Sequence, residues 1–136
     1  MISFNKINSA NINAQAPKNK ILSVGGSPRA KGNSDILLQT ISQGIKNAKV
    51  TTEVAQLRNF QFQSCIACEK CRTTKICTGL NDGLSLLYPK IIESKGLILV
   101  SPTHNYNITA LMKSFIDRLY CFYNFDNNNR PGKWSS

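Results

Sequence analysis

Acidic residues are scarce in this chain. Seven Asp and Glu stand against 17 Lys and Arg over 136 residues, for a formal charge of +10. Such an excess invites a nucleic-acid reading, yet the basic residues are scattered from Lys6 to Lys133 with no dense block and no interleaved aromatic platform. A dedicated nucleic-acid face is therefore not visible, and an anionic cofactor is the better use of the charge. Long apolar runs are absent too. Nothing approaches the roughly 18 residues a membrane-spanning helix needs, and the first twenty residues lack a signal-peptide core. Residues 1–19, with no acidic residue and several Asn, read as a flexible extension without the arginines of an organellar address. Histidine occurs once, at His104. Neither the Gly-Lys-Ser/Thr of a nucleoside triphosphate loop nor the G-x-G-x-x-G of a dinucleotide loop is present, which disfavours both ligands. The length suits one core, so residues 20–136 are expected to form a single domain.

What is there is a run of cysteines. Cys65, Cys68, Cys71 and Cys77 read C-x2-C-x2-C-x5-C, a metal-ligand spacing that lets successive thiolates turn toward one centre. Disulfides among the first three are disfavoured by crowding, since a bridge needs Cα atoms about 4.4 to 6.8 Å apart in a fixed dihedral. Structural zinc usually draws on two separated knuckles, whereas three cysteines at consecutive two-residue gaps resemble an iron–sulfur loop. A loop of reduced thiols is the alternative. Lys70, Arg72 and Lys75 would offset the charge of a thiolate-bound cluster, or simply face solvent. Cys121, the fifth cysteine, reads as a helix-face packing residue. Five cysteines in a chain of this kind point to a reducing compartment, and hence to the cytoplasm.

The rest of the pattern alternates. Lys20 to Val24 is an apolar-rich strand stopping at Gly25-Gly26. A helix follows, capped by Asn33 or Ser34, with Leu37, Ile41, Ile45 and Ala48 on its apolar face. Val50 to Leu57 is the second strand. The segment from Asp82 to Ser94 is helical but divided by Pro89. Leu97 to Val100 is an unbroken apolar strand, which implies cover on both faces. Ile108, Leu111, Phe115, Leu119 and Phe122 line a long helix, and Asp126 to Gly132 is polar loop. This β-α-β-(cysteine loop and helix)-β-α order predicts right-handed crossovers and a parallel α/β sheet.

Two turns would then flank a ligand. Gly25-Gly26-Ser27-Pro28-Arg29 leads off the first strand into Gly32-Asn33-Ser34 at a helix N-terminus, where free amides and the macrodipole favour an anion. The third strand ends in a second polar loop, Ser101 to Asn107. In open parallel sheets ligands bind beyond the carboxyl ends of strands at such a crevice.

Gly26-Ser27-Pro28-Arg29 with Gly32-Asn33-Ser34, the four-cysteine loop followed by Asn81-Asp82, Ser101-Pro102, and Lys113 to Arg118 together resemble the iron–sulfur flavoproteins and the wider NADPH-dependent FMN reductase family, from about Lys20 onward. The resemblance implies a flavodoxin-like, doubly wound parallel sheet in three α/β/α layers. It implies FMN with its phosphate held by Ser27, Arg29, Asn33 and Ser34, and its ring against Pro102, Thr103, His104, Asn105, Tyr106 and Asn107. In the iron–sulfur branch Cys65, Cys68, Cys71 and Cys77 would ligate a [4Fe-4S] cluster. NAD(P)H or ferredoxin would donate electrons, and oxygen, a quinone or a protein would accept them. Relatives assemble as dimers or tetramers, so a homo-oligomer is expected. A cluster-free FMN or quinone reductase, a zinc or nucleic-acid module, and an inactive fragment are the rival readings.

The chain departs from the family pattern in four places. His104 stands where many relatives have an aromatic residue, Tyr106 where they often have Gly, and Asn81 replaces an acidic residue. His104 as a base or flavin donor is the sharper reading; an exposed loop histidine is the better supported one. The largest departure is the end of the chain. The sequence supplies three of the five strands of a complete sheet, which leads to the expectation of a fragment, a truncated product, or a protein completed by another chain.

Overall fold

The computed structural model describes residues 18–125 and 131–134. The expected extension, residues 1–19, falls outside them except for its last two residues, which open the first strand.

Strand β1 (Lys18–Gly25) carries the apolar run Ile21, Leu22 and Val24. It pairs in parallel with β2 (Thr51–Gln56) on one side and β3 (Ser94–Val100) on the other. The sheet order is β2-β1-β3, the beginning of the flavodoxin-like order, with the reversal of strand order falling between β1 and β3. Leu22 lies beside Leu97, and Val24 beside Ala55 and Leu99. Side chains at matching positions of parallel strands share a face, so these residues all point to one side.

The main core is on that side. The excursion between β2 and β3 carries the single-turn α2 (Cys71–Thr74); Leu22, Val24 and Ala55 pack with Leu84 and Leu87, with Tyr88 and Ile91 of α3 (Tyr88–Ile92), and with Met112 and Phe115 of α4 (Ala110–Arg118). Leu119 and Cys121, in the tight turn after α4, complete it. Cys121 is buried as expected, and burial, with Cys71 and Cys77 nearby, pushes its thiol up to about 12. Helix α1 (Asn33–Asn47) covers the opposite face, making contact with all three strands. The three layers α/β/α are thus in place. Pro89 restarts the helical segment where the sequence placed the break, between a 3-10 turn (Gly83–Leu86) and α3.

Five expectations need correction. Helix α1 buries Asp35, Leu38 and Ser42, while Leu37 is 52% exposed and Ala48 lies beyond the helix. Ile41 and Ile45 of the expected stripe are half-buried, and Asp35 takes the buried position in the first turn because Arg58 meets its carboxylate there. Its N-cap is Gly32 without a side-chain cap, rather than Asn33 or Ser34. Asp35 reaches back instead to accept the Lys31 N–H at 2.7 Å, one residue before the N-cap donor that a capping box would use. Strand β3 is not covered throughout: Leu99 is 41% exposed, because β3 is an edge of this sheet. The long helix is shorter than its stripe. Ile108 belongs to a hairpin of β4 (Thr103–His104) and β5 (Asn107–Ile108), and Thr109, accepting from the Met112 N–H at 3.1 Å, starts α4. Finally, Pro131 and Gly132 are not loop. They open β7 (Pro131–Trp134), antiparallel to β6 (Tyr123–Phe125), with proline at the first residue of an edge strand, where no ladder donor is required. The remainder of that expected loop lies outside the described residues.

The placement of Leu38 inside and Leu37 outside is testable. Leu38→Ala should cost about 2 to 5 kcal/mol, and Leu37→Ser should stay within about 0.5 kcal/mol of the parent. Denaturant unfolding midpoints of the two variants check it; equal losses would restore the apolar stripe read from the sequence.

Candidate functional site: a crevice at the strand ends and a ring of cysteines

The two loops expected to flank a ligand are stitched together by backbone and hydroxyl groups. Gly26 N–H donates to Val100 O at 2.8 Å, joining the ends of β1 and β3. The Thr109 hydroxyl donates to Gly26 O at 2.7 Å, and Thr109 N–H donates to Ser101 Oγ at 3.1 Å. Thr109 is buried, so it fixes the start of α4 against both strand ends. Gly26 is required by this closeness: a Cβ there would stand 2.8 Å from the Met112 side chain. The sequence reading passed over Thr109, although a Thr before an apolar period is an N-cap signal.

Within the first loop Ser27 is buried. Its hydroxyl donates to Arg29 O at 2.8 Å and accepts from Arg29 N–H at 3.2 Å. Arg29 and Asn33 are exposed and Ser34 half-buried, gathered where the uncapped N-terminus of the fifteen-residue α1 begins. A guanidinium, small polar side chains and a helix N-terminus are the groups from which an anion cradle is built. Across the crevice Pro102 is half-buried, while Thr103, His104, Asn105, Tyr106 and Asn107 are exposed on the β4–β5 hairpin. Asn105 and Tyr106 form its turn with φ of 47° and 64°, a pair of left-handed residues for which Asn-Gly is the favoured sequence. Tyr106 is 99% exposed there. His104 is an exposed residue of that hairpin.

The second feature is a cavity of about 300 Å³ whose wall includes all four cysteines of the motif. Cys65 and Cys68 are exposed and Cys71 and Cys77 half-buried, and none is in a disulfide. Burial raises the Cys71 thiol, and Cys77, Cys65 and Cys68 push it the same way, so Cys71 feels all three neighbours. Among the described residues no three Cys, His, Asp or Glu side chains converge closely enough to hold one metal ion. The thiols ring a space instead. Their loop is shaped by left-handed Ala67, Glu69 and Lys75, with φ of 52°, 56° and 58°, each costly for a residue with a side chain. A Cβ on Gly79 would lie 2.3 Å from Cys68 Sγ, so a side chain there would push that thiol out of its present position. Arg72 pairs with Glu69 at 2.7 Å and donates to Tyr120 Oη at 3.0 Å, which leaves it structural rather than merely solvated.

Arg118 forms the floor. Its side chain is 1% exposed and meets Asp82 at 2.8 Å. It also donates to Gln63 O at 2.9 Å and to Tyr88 Oη at 3.2 Å. Gln63 precedes the first cysteine of the loop and Asp82 follows the last, so one guanidinium ties both ends to α4. Burial alone would raise the Asp82 carboxyl, but hydrogen bonds from Arg118, Gln63 N–H and Leu84 N–H hold it below the ordinary range. The Tyr88 hydroxyl, removed from water, is raised. Asp82 and Arg118 stood out in the sequence as motif members, and nothing local announced that they pair.

An α/β fold whose strand order reverses at a polar crevice, with an anion cradle on one lip, belongs to the flavodoxin-like class. The family profile described as NADPH-dependent FMN reductase matches residues 19–133, and the chain belongs to that family. Among curated proteins it is 30% identical over 99 residues to an iron–sulfur flavoprotein of Methanocaldococcus jannaschii, covering 73% of this chain and 51% of that protein. It is 31% identical over 100 residues to an iron–sulfur flavoprotein of Archaeoglobus fulgidus, covering 74% and 45%. An iron–sulfur flavoprotein of Methanosarcina thermophila is 28% identical over 99 residues, covering 73% and 51%. The chain thus spans about half the length of these relatives. Among the described residues no helix is long and apolar enough to cross a membrane.

The Arg118 clamp has a pH signature. Asp82 and Asp35 both ionise more readily in the folded chain, so their contribution to stability is fully present above the unfolded value of about 3.9. It is lost as pH falls through the lower folded values, because the unfolded chain then binds more protons. Asp82→Asn should flatten the acid limb of a plot of unfolding midpoint against pH. Asp82→Ala, which strands a buried guanidinium, should cost about 3 to 5 kcal/mol. A parent-like acid limb in Asp82→Asn would show that the pair carries no such linkage.

Proposed function

We propose that this chain binds FMN in the crevice and a [4Fe-4S] cluster within the cysteine ring, and serves as a flavin-dependent oxidoreductase. The observation that carries the reading is the pair of sites at the two ends of α4. Thr109 at its start belongs to the crevice, and Asp117 and Arg118 at its end line the cysteine cavity. Nine residues at about 1.5 Å each span about 14 Å.

The residues fit both groups. Ser27, Arg29, Asn33 and Ser34 would hold the phosphate of FMN. Pro102, Thr103, His104, Asn105, Tyr106 and Asn107 would border its ring, the side chain of Tyr106 standing where many relatives have none. Cys65, Cys68, Cys71 and Cys77 would hold the cluster. The four cysteines share one cavity wall, which supports a common occupant, and three cysteines at consecutive two-residue gaps favour a cluster over the separated knuckles of structural zinc. FMN, when bound, would supply the exchange between hydride and single-electron chemistry. No side-chain acid or base is assigned, since hydride transfer to flavin needs none; the chain's part is to bind, orient and tune.

NAD(P)H or ferredoxin is the proposed donor, and oxygen, a quinone or a protein the acceptor. A homo-oligomer in the cytoplasm is part of the reading, the free cysteines being suited to a reducing compartment. A second reading, an FMN reductase with the cysteines left as thiols, is favoured by the exposure of Cys65 and Cys68.

Anaerobic reconstitution with FMN, iron and sulfide separates the readings. The expected result is about one FMN per chain with iron and acid-labile sulfide in equal amounts. FMN without iron selects the second reading, and a protein that takes up neither overturns both.

A further inference from the structure

Beneath the anion cradle lies a buried ion pair that the proposed chemistry does not use. Arg58, in the tight turn after β2 (Leu57–Asn59), meets Asp35 in a two-pronged contact, Nη1 to Oδ1 at 3.0 Å and Nη2 to Oδ2 at 2.9 Å. Nη1 is also shared with Gln56 Oε1 at 3.0 Å and, more weakly, with the carbonyls of Ser27 at 3.3 Å and Arg29 at 3.5 Å. Asp35 is buried and Arg58 has 20% of its side chain exposed. Gln56 is itself pressed against the end of β1, since a Cβ on Gly25 would stand 2.2 Å from its Oε1. The pair, the glutamine and two carbonyls of the cradle therefore form one contiguous unit.

We infer that Arg58, braced by Asp35, is a positioning residue that sets the Ser27–Arg29 turn for a phosphate group. Two physical effects act together. First, the peptide bonds here are trans, and in a planar trans peptide the N–H points opposite to the C=O. With the Arg29 carbonyl held by the Ser27 hydroxyl at 2.8 Å and, at longer range, by Arg58 at 3.5 Å, the Ala30 N–H is turned away from both and left for a ligand. Second, Asp35 sits in the first turn of α1, close to where an anion would bind. Left alone, its charge would repel a phosphate; the bidentate guanidinium cancels it while leaving Arg29 available to the ligand. Lysine cannot reproduce this, because its single ammonium lacks the planar fork that meets both carboxylate oxygens and the carbonyls at once.

The inference rests on the flavin reading and makes a narrower claim. It concerns the phosphate of FMN and not the isoalloxazine ring, so riboflavin, which lacks the phosphate, is the matched probe. Flavin fluorescence titrations on the parent chain, Arg58→Lys and Arg58→Gln are the experiment, with thermal melts to confirm that each variant folds. The parent should prefer FMN to riboflavin. Both variants should lose about tenfold or more in FMN affinity, the scale of one charged hydrogen bond, with riboflavin affinity unchanged within about twofold. A wild-type measurement stands beside them: in nuclear magnetic resonance spectra the Ala30 amide proton should shift with FMN and not with riboflavin. Variants that keep parent-like FMN affinity, that lose FMN and riboflavin equally, or an Ala30 amide indifferent to the phosphate would overturn the role of Arg58 while leaving the flavin site standing. A parent chain that binds neither flavin would overturn the flavin reading and this role with it.

Discussion

The cysteine loop depends on one buried charge. Arg118 is sunk in the core side of α4, and its guanidinium joins Gln63 O before the loop to Asp82 after it. Burying a guanidinium is costly unless it is paired and its donors are used, and here a carboxylate, a carbonyl and a phenol supply partners. Among the described residues no buried side-chain polar atom lacks a partner. The pairing turns an otherwise open excursion between β2 and β3 into a closed one. Four thiols can then face a common cavity although two of them are exposed.

The crevice at the strand ends is built on the same economy of contacts. Thr109 accepts from Met112 N–H and donates to Gly26 O, so one hydroxyl caps α4 and fixes the first loop. Asp35 and Arg58 do the corresponding work below. The excess of positive charge seen in the composition is thus distributed: some guanidinium groups are consumed in internal pairs, and Arg29 remains exposed at the cradle. A basic balance without a basic patch fits a small anionic ligand better than a polyanion.

Much of this was legible in the sequence. β1 and β3 announced themselves as continuous apolar runs bounded by Gly and Pro, the break at Pro89 followed from its missing donor, and the cysteine spacing and the Ser27 loop stood out by composition. What escaped has a common cause. Asp35 and Arg58, or Asp82 and Arg118, are far apart in the chain, and no local periodicity encodes a tertiary ion pair. Helix α1 shows the consequence: Ile41 and Ile45 are half-buried as their spacing predicts, while the start of the buried face is held by Asp35, paired to Arg58, rather than by Leu37. The β4–β5 hairpin was hidden for another reason: its turn is Asn105-Tyr106, where the recognisable signal would have been Asn-Gly.

On the proposed reading the cysteine ring holds a polynuclear iron site in a flavin-binding chain. Low-temperature electron paramagnetic resonance of the anaerobically reconstituted, dithionite-reduced protein tests it most directly. The paramagnetic signal of a reduced iron–sulfur cluster is expected in the parent and should be lost in Cys77→Ser, with FMN still bound. A silent spectrum from protein carrying zinc, or no metal at all, in the cysteine loop would contradict it.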